Sequence, residues 1–230
     1  MKKIAIITAR GGSKRIPKKN IKLFLGKPII SYSIKAALDS NVFDEVMVST
    51  DDEEIANISR QYSATIPFMR SKKNSSDYAT TADVIVEVLQ CYKELGQVFD
   101  VVTCIYPAAP FVTSSKLKTA VNMLIDTEAD ALMPVVQYSY PPQRSVLIHE
   151  GRVFFQQPQF KLTRSQDLEP IYHDCGQFYV LNVKSFDKYR ELVMPKTIPY
   201  IMPEGQVQDI DNVSDWELAE LKFQAFNEKD

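Results

Sequence analysis

The first segment with a readable pattern is residues 3–9, KIAIITA, which is apolar without alternation. A run of this length lacking a polar face suits a strand buried on both sides, the habit of parallel sheets. Similar runs recur at residues 45–50 (EVMVST), 100–106 (DVVTCIY) and 131–137 (ALMPVVQ), and a shorter one at 64–69 (ATIPFM). Helical spacing lies between them: Ile85, Val88, Leu89 and Tyr92 follow i, i+3, i+4, i+7 within residues 80–95. Asp51, Asp52, Glu53 and Glu54 open another helix, where acids suit the positive end of its dipole. Strand and helix in alternation predict an α/β fold on a mostly parallel sheet.

After residue 135 the pattern changes. Residues 138–144 (YSYPPQR) cannot be helical, and residues 145–180 carry the short alternating runs VLI, RVFF and QFYVL. Prolines at 141, 142, 158 and 170 mark an irregular excursion, which predicts a β-rich arm inserted at about 138–172 into a single domain spanning 1–230. The chain then returns through residues 198–202 to an amphipathic helix from Val213, with Trp216, Ala219, Phe223 and Phe226 on one stripe.

Composition narrows the partners. Lysine and arginine total 27 against 29 acids, net −2, so no bulk positive field points to nucleic acid or an anionic membrane surface. Cys91, Cys104 and Cys175 are odd in number, widely spaced and without a CxxC, which argues against a disulfide framework or zinc site and fits a reducing compartment, the cytoplasm. The opening MKKIAIITAR meets Arg10 too soon for a signal peptide or a spanning helix.

Three clusters carry candidate chemistry. Only seven glycines occur, yet Gly11 and Gly12 are adjacent in residues 9–20 (ARGGSKRIPKKN), directly after the first strand. Arg10, Lys14, Arg15, Lys18 and Lys19 surround them with no acid in the segment. A glycine pair lets backbone N–H groups approach an anion, and the carboxyl end of a first strand is where α/β sheets bind ligands, so the loop reads as a polyphosphate cradle. It matches neither GxxxxGK[ST] nor GxGxxG. Asp209 and Asp211, alternate residues in DID, can offer two hard oxygens to one Mg²⁺, which favours one or two carboxylates plus substrate phosphates; the competing duty is capping of the following helix, with Asn212. Arg164, Gln166, His173 and Gln177 supply the guanidinium, amide and imidazole groups that would suit a carboxylated, hydroxylated ligand, with His173 a candidate base. Arg70 and Thr81 are weaker candidates for nucleotide contacts, and Cys175 lacks an activating partner beyond His173.

Taken together, IITARGGSKRIPKKN, LGKPII, STDDEEIA, YPAAPF, RSQDLE and DIDNVSDW resemble the CMP-sialic acid synthetase (acylneuraminate cytidylyltransferase) family along nearly the whole chain. PPQR, RSQDLEPIYHDCGQFYV and VQDIDNVSDWELAE are similar to the branch of that family acting on pseudaminic acid. Thr8 and Ala108 depart from the family's pattern, and Ala108 removes a hydroxyl. The resemblance implies a Rossmann-like nucleotidyltransferase sheet with helices on both faces and a dimerisation arm. The implied reaction moves CMP from CTP to the anomeric hydroxyl of a nine-carbon 2-keto sugar acid, releasing pyrophosphate with Mg²⁺ present. Pseudaminic acid is the implied sugar, with N-acetylneuraminic or legionaminic acid as alternatives. Carried over by motif, Arg10, Lys14 and Lys19 would hold the triphosphate, with Gly11 and Gly12 permitting close approach. Asn20, Arg70 and Thr81 would add nucleotide contacts, and Asp209 and Asp211 would bind the metal. Tyr106, Arg164, Gln166, His173 and Gln177 would face the sugar acid. Arg10, Lys19 and Asp211 would carry the catalysis, and the arm would reach a second subunit in a homodimer. A nucleotide-binding protein without turnover is the competing class.

Overall fold

The computed structural model describes residues 1–227. The strands are β1 (Lys3–Thr8), β2 (Leu23–Phe24), β3 (Lys27–Pro28), β4 (Glu45–Ser49), β5 (Val101–Ile105), β6 (Ala131–Gln137), β7 (Val146–His149), β8 (Arg152–Phe155), β9 (Tyr172–Asp174), β10 (Phe178–Asn182) and β11 (Thr197–Ile201). The α-helices are α1 (Ile30–Asp39), α2 (Glu53–Gln61), α3 (Thr81–Glu94), α4 (Ser114–Asp126), α5 (Val183–Tyr189) and α6 (Val213–Asn227). A seven-stranded sheet runs β11-β6-β10-β5-β1-β4, with β9 also paired to β6. Strand β1 is parallel to β4 and β5, and β11 to β6, whereas β10 and β9 run antiparallel to their neighbours.

Strand β1 shows why its sequence does not alternate. Ala5 and Ile7 pack on one face with Ile30 and Ile34 of α1 and Leu117 and Ala120 of α4. Ile4 and Ile6 pack on the other with Val84, Ile85 and Val88 of α3 and Phe186 of α5. All four β1 side chains are fully buried, and the three isoleucines each contribute roughly 1.5–3 kcal/mol by leaving water. Helices therefore cover both faces, as expected for this fold class. Helix α2 starts where its acids predict: the Asp52 carboxylate accepts from the Glu54 and Ile55 N–H groups.

Two expectations need correction. The run QFYVL does not belong with the arm: β10 lies between β5 and β6, with Phe178, Tyr179, Val180 and Leu181 all buried. Its lack of a polar face is the same signal as in β1, hidden because the chain reaches it from an irregular segment. Residues 64–69 form no strand; Thr65 makes one isolated bridge to Met47. The remaining alternating runs form a separate hairpin, β7 paired with β8, outside the main sheet. Among the described residues no helix is long and apolar enough to cross a membrane.

Candidate active site

A cleft of about 400 Å³ opens beyond the carboxyl ends of β1 and β5. Arg10, Lys14, Arg15 and Lys19 line it together with Asp209 and Asp211, residues nearly 200 positions away in sequence. What joins them is apolar. Ile16, in the middle of the basic loop, and Ile210, between the two aspartates, are both buried in one cluster with Phe24, Phe111 and Trp216. Burying the central isoleucine of each motif leaves the flanking charges at the rim. Lys19 seals the junction, its Nζ donating to the Ile210 carbonyl at 2.7 Å. Burial lowers the Lys19 pKa, opposed by the charges of Asp211 and Asp209. Burial raises that of Asp209, and the neighbouring Asp211 adds to the rise.

The loop cations are not left bare, although their own segment holds no acid. Asp77 takes both Arg10 and Lys14, at 2.7 and 2.5 Å. These bonds, Lys14's first and then Arg10's, hold the Asp77 carboxyl below its ordinary value. Lys18 pairs with Glu54, and Arg15 with Asp211 at 2.8 Å. Gly11 serves packing as well as approach: a Cβ there would lie 2.7 Å from Asp52 Oδ2, and its N–H donates to Asp51 at 2.9 Å. Asp52, which caps α2, thus packs against the glycine loop, and its neighbour Asp51 bonds it. Gly12 faces open space. Asn20 is buried and donates to the Arg10 carbonyl at 2.9 Å, bracing the loop from within.

The capping duty considered for the aspartates falls elsewhere. Asn212 Oδ1 accepts from the Asp215 N–H at 3.0 Å, and Asp215 accepts in return from the Asn212 and Asp211 N–H groups. Asp209 and Asp211 are therefore not spent on α6. Among the described residues no three His, Cys, Asp or Glu side chains converge as a metal site. Two carboxylates beside a basic cradle are a donor set that suits Mg²⁺ completed by phosphate oxygens.

On the far wall, Tyr106, Ala108 and Gly176 complete the cleft. Ala108 puts a methyl where the family pattern would present a hydroxyl. Thr81, the first residue of α3, meets the Tyr106 hydroxyl at 3.3 Å. Other candidates lie outside the cleft lining. Arg70 is buried behind the loop, its guanidinium bonded to the Ser49 hydroxyl and carbonyl, and burial lowers its pKa. Gln177 is buried, donating to the Gln206 carbonyl at 3.1 Å while its Oε1 lacks a hydrogen-bond partner. Arg164 is exposed and paired with Asp167, Gln166 is exposed, and His173 packs on Tyr138 with Nδ1 2.8 Å from the Asp174 carbonyl. Cys175 is a buried thiol pushed up to about 12 by desolvation, which suits no nucleophile. The sequence does not point to Asp77 at all and presents Asp51 and Asp52 only as the start of a helix, since their contacts with the loop are long-range; Arg15, named in the cradle without a role of its own, lines the cleft.

The comparisons with known proteins agree with this geometry. A family profile described as Cytidylyltransferase matches residues 4–201. A pseudaminic acid cytidylyltransferase of Campylobacter jejuni subsp. jejuni serotype O:2 is 40% identical, covering 99% of each chain. The CMP-N,N'-diacetyllegionaminic acid synthase of Legionella pneumophila subsp. pneumophila is 31% identical over 96% of this chain and 95% of its own. In fold, the solved structure of CMP:2-keto-3-deoxy-manno-octonic acid synthetase complexed with CTP aligns with a TM-score of 0.70 at 17% identity, covering 99% of this chain and 100% of that one. A strand-end basic cradle, a facing carboxylate pair and a family match over most of its length lead to one conclusion: the chain belongs to the cytidylyltransferase family.

Proposed function

We propose that this cytidylyltransferase transfers CMP from CTP to the anomeric hydroxyl of pseudaminic acid, with release of pyrophosphate. The observation that carries the reaction is the cleft itself, where Arg10, Lys14 and Lys19 face Asp209 and Asp211. The choice of sugar rests on similarity to the Campylobacter enzyme at 40% identity. The Legionella relative, at 31%, favours a second reading in which a legionaminic acid is the acceptor; N-acetylneuraminic acid is the remaining family alternative.

Binding of CTP draws Arg10 and Lys14 from Asp77 onto the phosphates, where their bonds to oxygen grow stronger as charge builds on the leaving group. Lys19, held by the Ile210 carbonyl, keeps a cation at the floor of the cleft. Asp209 and Asp211 would hold Mg²⁺, which supplies neutralising charge to the phosphates. Arg164 and Gln166 would then act from a second copy's arm, while His173 stays on β9 in the main sheet. Supporting this is the β7–β8 hairpin, on which Ile148, Val153 and Phe154 are 72%, 63% and 51% exposed. A lone two-stranded hairpin is marginal in water, and a homodimer in which the arms cover each other explains these apolar faces. Free cysteines suit a cytoplasmic setting.

The test is pyrophosphate release from CTP and Mg²⁺ with pseudaminic, N,N'-diacetyllegionaminic or N-acetylneuraminic acid, and with no sugar. The highest kcat/KM is expected with pseudaminic acid. A higher value with another acid would move the substrate, and no release with any of the three would overturn the reading.

A further inference from the structure

The cations of the glycine loop rest on acids of two kinds. Arg10 and Lys14 both lie on Asp77, a residue outside the lining of the cleft. Arg15 lies instead on Asp211, its Nη2 2.8 Å from Oδ1, and Asp211 is one of the two carboxylates suited to the metal. The main chain is fixed on both sides of this pair. Ile16, next to Arg15, and Ile210, next to Asp211, are buried in one cluster, and the Asp211 N–H donates to Asp215 at 2.9 Å. The two side chains are freer: that of Arg15 is 67% exposed and that of Asp211 39%. Lys19 reaches the same segment but bonds its main chain, through the Ile210 carbonyl. Of these two cations, one therefore braces the backbone and the other occupies a carboxylate.

An exposed ion pair is held weakly against water, so a ligand with a stronger claim on either partner separates it. A divalent cation has such a claim on the carboxylate, and a triphosphate has one on the guanidinium, which grips phosphate through parallel N–H bonds. Resting on the function proposed above, we infer that Arg15 is a placeholder for the metal: its guanidinium neutralises Asp211 in the empty cleft and moves to the triphosphate of CTP when the metal site fills. Asp211 then faces a positive charge before and after the exchange, and one side chain links the two ligands. Phosphates that take Arg15 leave Asp211 open, and an occupied Asp211 leaves Arg15 open to phosphate. Such coupling is reciprocal, each ligand raising the affinity of the other by the same factor. When pyrophosphate leaves, Arg15 returns to Asp211 and resets the cleft. Arg10 and Lys14 carry no such link, since Asp77 lies outside the carboxylate pair.

Arg15→Gln should shift the two ligands in opposite directions, which neither a structural role nor a phosphate contact alone would do. With Mn²⁺ as the probe and no nucleotide present, water proton relaxation should show the metal bound about threefold more tightly, the scale of an exposed pair. With CTP in metal-free buffer, calorimetry should show binding about tenfold weaker, because a charge-assisted bond to phosphate is lost. Lys18→Gln is the control for charge alone: it removes a cation of the same loop that pairs with Glu54, and it should leave Mn²⁺ binding unchanged. In an Asp211→Asn background, Arg15→Gln should no longer tighten Mn²⁺ binding. Unchanged or weaker Mn²⁺ binding in Arg15→Gln would overturn the placeholder, and so would equal tightening in Lys18→Gln. Tighter Mn²⁺ with unchanged CTP binding would overturn the transfer to phosphate. A wild-type chain that binds no Mn²⁺ would remove the metal site and the placeholder with it. These measurements use neither sugar nor turnover, so a failure to release pyrophosphate with any sugar acid counts against the function and not against the exchange.

Discussion

In the cleft, charges from residues 10–19 and 209–211 are brought to one rim because Ile16 and Ile210 share a buried cluster with Trp216. In the arm, Arg164 and Gln166 are exposed in a segment whose hairpin leaves Ile148, Val153 and Phe154 in water. Both regions carry cations and amides suited to anionic ligands, but only the first has an apolar anchor within its own chain. A polar constellation is held at fixed geometry only when neighbouring apolar groups leave it no alternative. By that measure the basic cleft is built within one chain; on the proposed function, its sugar half would be completed by the surface that covers the arm.

Variants can break this contrast. The largest effect is expected from Asp211→Asn in the anchored half, a loss of well over about tenfold in Mg²⁺-dependent turnover, because it removes a carboxylate from the metal donor set. Near-normal pyrophosphate release at ordinary Mg²⁺ would take Asp211 out of that set. Arg164→Ala, in the arm, should raise the KM for the sugar acid by about tenfold while leaving that for CTP unchanged, since a guanidinium grips a carboxylate bidentately. A change in CTP binding instead would place the arm's arginine on the nucleotide.

The smallest effect is expected from Asp77→Asn. It frees Arg10 and Lys14 from an exposed, solvent-screened pair, so CTP should bind about threefold more tightly by calorimetry. Because those cations hold the Asp77 carboxyl below its ordinary value, the pair is intact above that value and is lost as pH falls through the lowered one. The difference between variant and wild type should therefore stay constant across neutral pH and vanish in acid. Weaker CTP binding in the variant would show that Asp77 arranges the cations for phosphate rather than competing for them.

The same contrast explains what could be read in advance. Strands β1, β4, β5 and β6 and helix α3 announce themselves by local spacing, and the basic loop and DID are contiguous motifs. That Ile16 and Ile210 bury in one core, and so join the two motifs, emerges only in the fold. The partners of the loop were not legible: Asp77 and Glu54 meet Lys14 and Lys18 through the sheet, and no local pattern encodes such a pairing. Strand β10 reads as one more alternating run, and its place inside the main sheet is hidden because prolines and alternating runs precede its unbroken apolar FYVL. The Tyr179 to Asp174 bond depends on the bend at Cys175–Gly176, which brings a strand end back beside its successor.

The most direct test of a cleft completed by a second copy's arm is pyrophosphate release by co-expressed Asp211→Asn and Arg164→Ala chains, each assayed alone and together under limiting sugar acid. In a mixed dimer that shares sites, one site carries both defects and the other neither, so the mixture should recover about a quarter of wild-type activity. Recovery no greater than the average of the two separate variants would contradict a shared site and confine the arm's residues to their own chain.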